Sequence, residues 1–276
     1  MTIFSSWNRC LPVMAAALCL VFPPSQLAVA GALLEDLTWQ QAEPLLTTDT
    51  LVVLPIGAAA KEHGPHLLLK NDYLLAEYLK RRLLVHPKVV IAPTVNYNYY
   101  PAFTEYPGSS SLRLETARNL IVDICRSLSH HGPRRFYALN TGISTERALE
   151  LASALLLREG IVLTYTDWQK ALAPLEKQVL KQQGGSHADE SETSMMLYIN
   201  PAAVNMSRAQ RDYHPKRPGG FTRNPDGQGT YSPTGAWGDP TLATTQKGQH
   251  LIEGLVQALL ADLQTLERTP IPAPSP

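Results

Sequence analysis

The chain has 276 residues, 44% of them hydrophobic, enough to bury a sizeable core in one large domain. Lysine and arginine together number 24 and aspartate and glutamate 24, so the formal net charge is +0. That balance gives no electrostatic basis for a nucleic-acid or anionic-membrane partner.

Residues 1–30 stand apart. Arg9 supplies a positive start, residues 11–22 an apolar core, and Ala28-Val29-Ala30 an A-x-A cleavage site. This pattern predicts an export signal cut after Ala30, hence a periplasmic or secreted protein with no membrane attachment once the signal is removed. The apolar run falls well short of the roughly 20 residues that span a bilayer. Leu18 before Cys19 argues against a lipoprotein, and Pro12, Pro23 and Pro24 against an ordinary helix. Cleavage would remove Cys10 and Cys19 and leave Cys125, so no intramolecular disulfide is expected. Cys125 lies on the apolar face of a predicted helix and reads as a small buried hydrophobe.

Beyond Ala30, one α/β domain is expected over residues 31–268. Residues 33–46 read as an amphipathic lead-in helix ended near Pro44, and residues 51–57 as an apolar strand. A polar loop, 58–72, follows, and then a helix over 72–84 with apolar residues at helical spacing. Residues 88–93 form a second strand. Residues 94–111, rich in tyrosine and including Tyr106-Pro107-Gly108, form a long segment that reads as a candidate substrate wall or a surface contact. A helix containing Ala117, Ile121 and Cys125 stops at Gly132-Pro133; a strand over 136–140 and a helix over 146–158 come next, then a strand over 161–166. Strands alternating with helices predict a mostly parallel central sheet covered on both faces, a three-layer α/β sandwich. Residues 168–183 are expected to be helical and bent at Pro174. A polar loop from Ser186 then feeds a helix whose first turn is acidic. Residues 200–240 lack periodicity, 242–266 is a final helix, and the Pro-rich tail 269–276 is expected to be disordered.

The loop after the first strand holds the densest set of metal-capable side chains. His63, His66 and Asp72 lie within ten residues, and His187 and Glu192 supply a second His and carboxylate farther along. Such a set can hold a divalent cation and activate water, and the C-terminal edge of an open α/β sheet is where ligands bind. A solvated polar loop is the competing reading. No G-x-S-x-G elbow, phosphate loop or dinucleotide fingerprint is present. Trp168 and Trp237 lie near the predicted site and can stack on a planar ring, though packing is the simpler role for each. His86, His130, His131, His214 and His250 read as structural or surface groups.

Leu54-Pro55-Ile56-Gly57, then Glu62-His63-Gly64-Pro65-His66-Leu67 and Asp72, resemble the first signature of the creatininase (creatinine amidohydrolase) family. His187-Ala188 with Glu192-Thr193-Ser194 resembles its second signature. Tyr106-Pro107-Gly108, Asn140 and Gly238-Asp239-Pro240-Thr241 match further family positions. The resemblance implies a three-layer α/β fold, a homohexamer, and a two-metal centre that hydrolyses amides of small molecules. It implies His63 as a ligand, Asp72 as the carboxylate between the metals, Glu192 as the late acidic residue and His187 as acid/base.

Two departures stand out. Lys61 occupies a position usually held by Glu, and Gly142 one usually held by His, with Ser144 where creatininase itself carries a carboxylate. Both losses fall on one metal. The expectation is therefore a single divalent ion per chain, Zn with Mn or Fe as alternatives, held by His63, Asp72 and Glu192. His187 and Glu192 would act in catalysis, with Lys61 steadying negative charge. Tyr106, Trp168 and Ser144 are expected around the substrate. Glu62, His66 and Asn140 are expected to support the site, Glu62 also standing as an alternative ligand. The reading from a different class is a catalytically inactive relative serving as a periplasmic binding or assembly protein.

Overall fold

The computed structural model describes Met1 and residues 31–274. The expected export signal, residues 1–30, lies outside the described residues apart from Met1. The elements in chain order are β1 Ala32–Leu33, α1 Trp39–Ala42, β2 Leu51–Ile56, α2 Asn71–Arg82 and β3 Val89–Ile91. They continue with α3 Leu114–Ser129, β4 Arg135–Asn140, α4 Glu146–Leu157, β5 Val162–Tyr165 and α5 Trp168–Val179. Last come α6 Glu190–Ile199, β6 Phe221–Thr222, β7 Thr230–Tyr231 and α7 Thr245–Arg268. Among the described residues no helix is long and apolar enough to cross a membrane.

The five strands β1, β3, β2, β4 and β5 lie side by side in that order, and every pairing is parallel. Because successive strand side chains point to opposite faces, the apolar run of β2 is divided between two cores. Leu51 and Val53 join Leu75 and Leu79 of α2, Leu172 of α5, Met195 of α6 and Leu255 of α7. Val52, Leu54 and Ile56 join Ile121 of α3 and Leu149 of α4 on the other face. β4 does the same, Tyr137 and Leu139 facing one way and Phe136 and Ala138 the other. The result is the expected α/β sandwich.

Pro55 sits in a central strand, where proline is normally excluded. Its carbonyl accepts from Val95 N at 2.9 Å, so its missing N–H faces the β3 side, beyond Ile91, the last residue of β3.

The lead-in region is not one continuous helix but short helical pieces ending at Leu45, close to the expected stop at Pro44. Leu33 pairs with the edge of the sheet and packs in one core while Leu34 packs in the other, a strand-like division. α-Helix is confined to Trp39–Ala42, where Thr38 and Gln41 form a reciprocal capping box, with 3-10 turns at Leu34–Asp36 and Glu43–Leu45 on either side. Trp39 is exposed, so no buried face extends that helix. α5 stops at Val179 rather than 183 because the N–H groups of Lys181 and Gln182 both donate to the buried Glu190 carboxylate, turning the chain toward α6. The aperiodic stretch contains the small parallel pair β6–β7. At the expected tail, Arg135 Nε donates to the Thr269 carbonyl at 3.0 Å, and Pro272 lies close over Gly160.

The helices that follow β2 and β4 cover opposite faces, so the crevice between these neighbouring strands is the point where chain direction across the sheet switches. Ligands of open α/β sheets bind at that crevice. Leu139 is fully buried at the centre of the sheet. Leu139→Ala is expected to lower unfolding free energy by about 2–5 kcal/mol, read from the urea midpoint at unchanged m-value.

Candidate active site

Three segments meet at that crevice. The first leaves β2 through Gly57. A Cβ there would lie 2.4 Å from the Asp72 carbonyl oxygen, so only glycine lets the first turn of α2 press against the strand. Tyr73 N donates to Ala58 O at 3.1 Å and Lys61 N to Leu69 O at 3.1 Å, closing the loop on itself. Thr141 Oγ1, just after β4, donates to Ile56 O and lies 3.2 Å from Asp72 O. The second segment, Asn140 to Thr145, is held by Asn140, whose Nδ2 donates to Gly142 O at 2.8 Å.

The third segment runs from Gly184 into α6. His187 forms an isolated antiparallel bridge with Trp237, and Trp237 N donates to His187 O at 2.8 Å. Ala188 has φ 45°, an uncommon conformation for alanine that carries backbone strain. It is held by an Ala188 N–H bond to Glu192 Oε2 at 2.6 Å and by Asp189, which caps α6 by accepting from Ser191 N and Glu192 N.

These segments bring together Lys61, Glu62, His63, Asp72 and His187, all buried, and Glu192, which is half-buried. Asp72 Oδ2 lies 2.7 Å from Lys61 Nζ, and Asp72 Oδ1 lies 2.7 Å from His63 Nε2. His63 Nδ1 donates to Lys61 O at 2.9 Å, leaving Nε2 free to face the carboxylate across a proton or a cation. His187 Nε2 donates to Glu62, 2.7 Å from Oε1 and 3.0 Å from the main-chain oxygen, so its Nδ1 points inward, 3.7 Å from Glu192 Oε2. Glu62 is fixed in turn by Gly64 N, which donates to Oε2 at 2.7 Å.

Burial alone would lower the Lys61 pKa, but Asp72, Glu192 and Glu62 outweigh it and hold the ammonium above its ordinary range. Burial would raise Asp72, yet His63 and Lys61 hold it well below the usual carboxylate range. For His187, burial lowers and the Glu62 and Glu192 carboxylates raise, with the raising contributions larger. Burial pushes His66 down to about 4.

One ligand atom each from His63, His187 and Glu192 lies within 4.8 Å of the other two. Both imidazoles present an inward nitrogen because the outward one is committed to a carbonyl or carboxylate, the usual way a metal-binding histidine is oriented. This donor set fits a divalent cation. The space beside Gly142 does not: a Cβ at Gly142 would lie 3.6 Å from Asp72 Oδ2 and 3.9 Å from Lys61 Nζ, so the ammonium already stands there against the carboxylate.

The other expected residues separate. Trp168 lines a cavity of about 100 Å³ beside Glu192, together with Ile143, Ser186, Asp189 and Met195. Tyr106 is buried and donates to Ser232 O at 2.7 Å, so its hydroxyl is spent on the main chain. Ser144 is half-buried in the short 3-10 turn Ile143–Thr145. His66 Nε2 lies 2.8 Å from Thr193 Oγ1 and tethers the loop to α6. The sequence did not single out Phe103 and Phe221, which roof the site with ring centroids 4.4 and 5.8 Å from that of His187. Lys61 Nζ lies 4.9 Å from the Phe103 ring. Phe103 does fall in the long segment flagged as a wall, whereas nothing marked Phe221.

Residues 35–263 match the Creatininase family, described as creatinine amidohydrolase. The creatinine amidohydrolase of Pseudomonas putida is 26% identical over 243 residues, covering 81% of this chain and 93% of that protein. The mycofactocin precursor peptide peptidase of Mycobacterium tuberculosis is 27% identical over 223 residues, covering 77% and 84%. Among solved structures, a manganese form of creatininase superposes with a TM-score of 0.70 at 23% identity, covering 86% of this chain and 99% of that one. A Zn–Zn form of a creatininase variant gives 0.70 at 22%, covering 86% and 98%. The chain belongs to the creatininase family, whose relatives here are hydrolases of an amide and of a peptide.

Two outcomes follow from the geometry. Lys61→Met removes the ammonium from a buried Asp72 and is expected to cost about 3–5 kcal/mol of stability in urea unfolding. Asp189 is pushed up to about 7 by burial and by the Glu192 carboxylate. Between about pH 4 and that value the native state therefore binds a proton that the unfolded chain has released, and stability falls as pH rises. Asp189→Asn, which keeps the cap, should gain stability relative to wild type across that window.

Proposed function

We propose that this chain is a metal-dependent amidohydrolase that cleaves an amide or other C–N bond of a small molecule or short peptide at a reduced, one-cation site. The observation that carries the reading is a pairing. His63, His187 and Glu192 converge on one point, and the neighbouring position is filled by the Lys61 ammonium on Asp72. The matched relatives, a creatinine amidohydrolase and a peptide peptidase, support the reaction class and leave the substrate open between small amide and peptide.

In this reading one divalent ion, zinc or manganese by analogy with the solved creatininases, would be held by His63 and Glu192 with Asp72, which already faces His63, as third ligand. His187 of the converging set keeps its inward nitrogen for the proton. When bound, the ion would supply Lewis-acid polarisation of the carbonyl and acidify a water. His187 holds and moves the proton at Nδ1. Its Nε2–H is anchored on Glu62, which fixes the ring and stabilises the charged form when a proton arrives. Lys61 keeps Asp72 ionised and sets a fixed positive charge beside the position where negative charge develops on the carbonyl oxygen. Phe103 and Phe221 exclude water above His187, which strengthens each of these interactions. The Ala28-Val29-Ala30 signal supports action outside the cytoplasm, and the family resemblance supports a homo-oligomer.

Metal content of the mature protein, purified without a histidine tag and measured by plasma mass spectrometry, is expected near one divalent ion per chain and near zero in His63→Ala. His187→Ala should retain the ion and lower turnover of a responsive amide by about 10²–10⁴-fold. Loss of the ion in His187→Ala would make that residue a ligand. No metal after zinc or manganese loading, with unchanged biological activity of His187→Ala, would overturn the hydrolase in favour of a binding protein.

A further inference from the structure

The loop after α6 carries Arg208, Arg211, Lys216, Arg217 and Arg223 against a single acid between them, Asp212, in a chain whose overall charge is balanced. Asp212 is buried and faces inward, accepting from Ser232 Oγ at 3.0 Å and from Thr234, with His214 Nε2 3.0 Å from its other oxygen. One acid against five lysines and arginines leaves the loop an excess of positive charge. Among the described residues, the ion pairs of lysine and arginine side chains belong to Lys61, Lys80, Arg82, Lys88, Arg126 and Lys247, and none involves a lysine or arginine of this loop.

Two of these cations are held in place by aromatic rings instead of carboxylates. Lys216 Nζ stands 3.9 Å from the Trp237 ring centroid and the Arg211 guanidinium 5.1 Å from that of Tyr213. Tyr213 and Trp237 pack edge to face at 5.5 Å. The order is cation, ring, ring, cation, with both Arg211 and Lys216 exposed. The rings are themselves pinned: Trp237 Nε1 donates to His214 O at 2.9 Å, and Tyr213 OH to Gly184 O at 3.0 Å. A ring face orients a cation without neutralising it, so the full charge stays available to an incoming anion.

This ladder shares its main chain with the site. Trp237 is the bridge partner of His187, and Ser186 N donates to Trp237 O at 3.0 Å. The turn Gly184–Ser186 has one side on the Trp237 indole, while Gly185 and Ser186 line the cavity beside Glu192 and Trp168. On the cavity side of that turn the charged groups are acidic, Glu176, Asp189 and Glu192, so the positive rim is confined to the Trp237 side.

We propose that the Arg211–Tyr213–Trp237–Lys216 ladder is a docking rim for a carboxylate of the substrate, remote from the bond that is cleaved. The natural substrate is then an acidic small molecule or a short peptide bearing a free carboxylate. The word substrate rests on the amidohydrolase reading; the anion preference of the rim does not, and it is measured separately from metal content and turnover.

The probes are N-acetyl-triglycine with a free carboxylate and the same peptide as its C-terminal amide, each titrated against the mature, metal-loaded protein by tryptophan fluorescence. The free acid is expected to bind about fivefold more tightly than the amide, a preference that shrinks with added salt. It should vanish in the Arg211→Gln/Lys216→Gln double variant and reverse in Lys216→Glu; both positions are exposed, and circular dichroism checks that the variants fold. Equal binding of the two probes, binding of neither at millimolar concentration, or a preference that survives the double variant would overturn the proposal. If the preference is present and depends on both cations while no metal binds, the hydrolase reading fails and the anion rim stands.

Discussion

Asp72 is the constraint on which the site depends. Its carboxylate is buried, accepts Lys61 on one oxygen and faces His63 on the other, and sits in the first turn of α2, where the helix dipole favours negative charge. Its main-chain carbonyl lies against Gly57 and near Thr141 Oγ1, so the same residue joins β2, β4 and α2. An ionised carboxylate this deeply buried is tolerated only when its charge is matched and its oxygens are engaged. Placement of the loop, protonation of Lys61 and orientation of His63 are in this sense one arrangement seen from three residues.

The second half of the site is organised around strain and its containment. Ala188 adopts a left-handed conformation between His187 and the cap of α6, and the geometry persists because Glu192, Asp189 and the Trp237 bridge all fix it. Glu190, fully buried between Lys247 and the main chain of Lys181 and Gln182, anchors the start of the same helix to α7 and to the end of α5. The chemistry-bearing residues of this stretch thus rest on two carboxylates, Asp189 and Glu190, that are themselves used structurally.

Much of this was legible in the sequence, and what was not has physical causes. The alternation of apolar strands with amphipathic helices fixed the sandwich, because fully buried parallel strands must be apolar on both faces. His63, Asp72, His187 and Glu192 were visible as chemically capable residues flanking strand or helix boundaries. The lead-in region misled because Leu33 and Leu34 have the hydrophobicity of a helix face and the alternation of a strand edge, and only pairing with β3 decides between them. The role of Glu62 depends on a contact with His187 across 125 positions, and the roof depends on Phe221, in a stretch with no periodicity at all. Local pattern carries no information about such encounters.

The Lys61–Asp72 pair also bears on how such a site can change over time. A carboxylate at position 61 alone would set a second negative charge beside a buried Asp72, with Gly142 offering no side chain to offset it. A histidine at 142 alone would crowd the ammonium, only 3.9 Å from where its Cβ would begin. Each single substitution is expected to leave a buried charge unmatched or crowded, whereas the pair as it stands is matched. Positions 61 and 142 are therefore coupled through Asp72, and a change at one is expected to be tolerated only together with a change at the other.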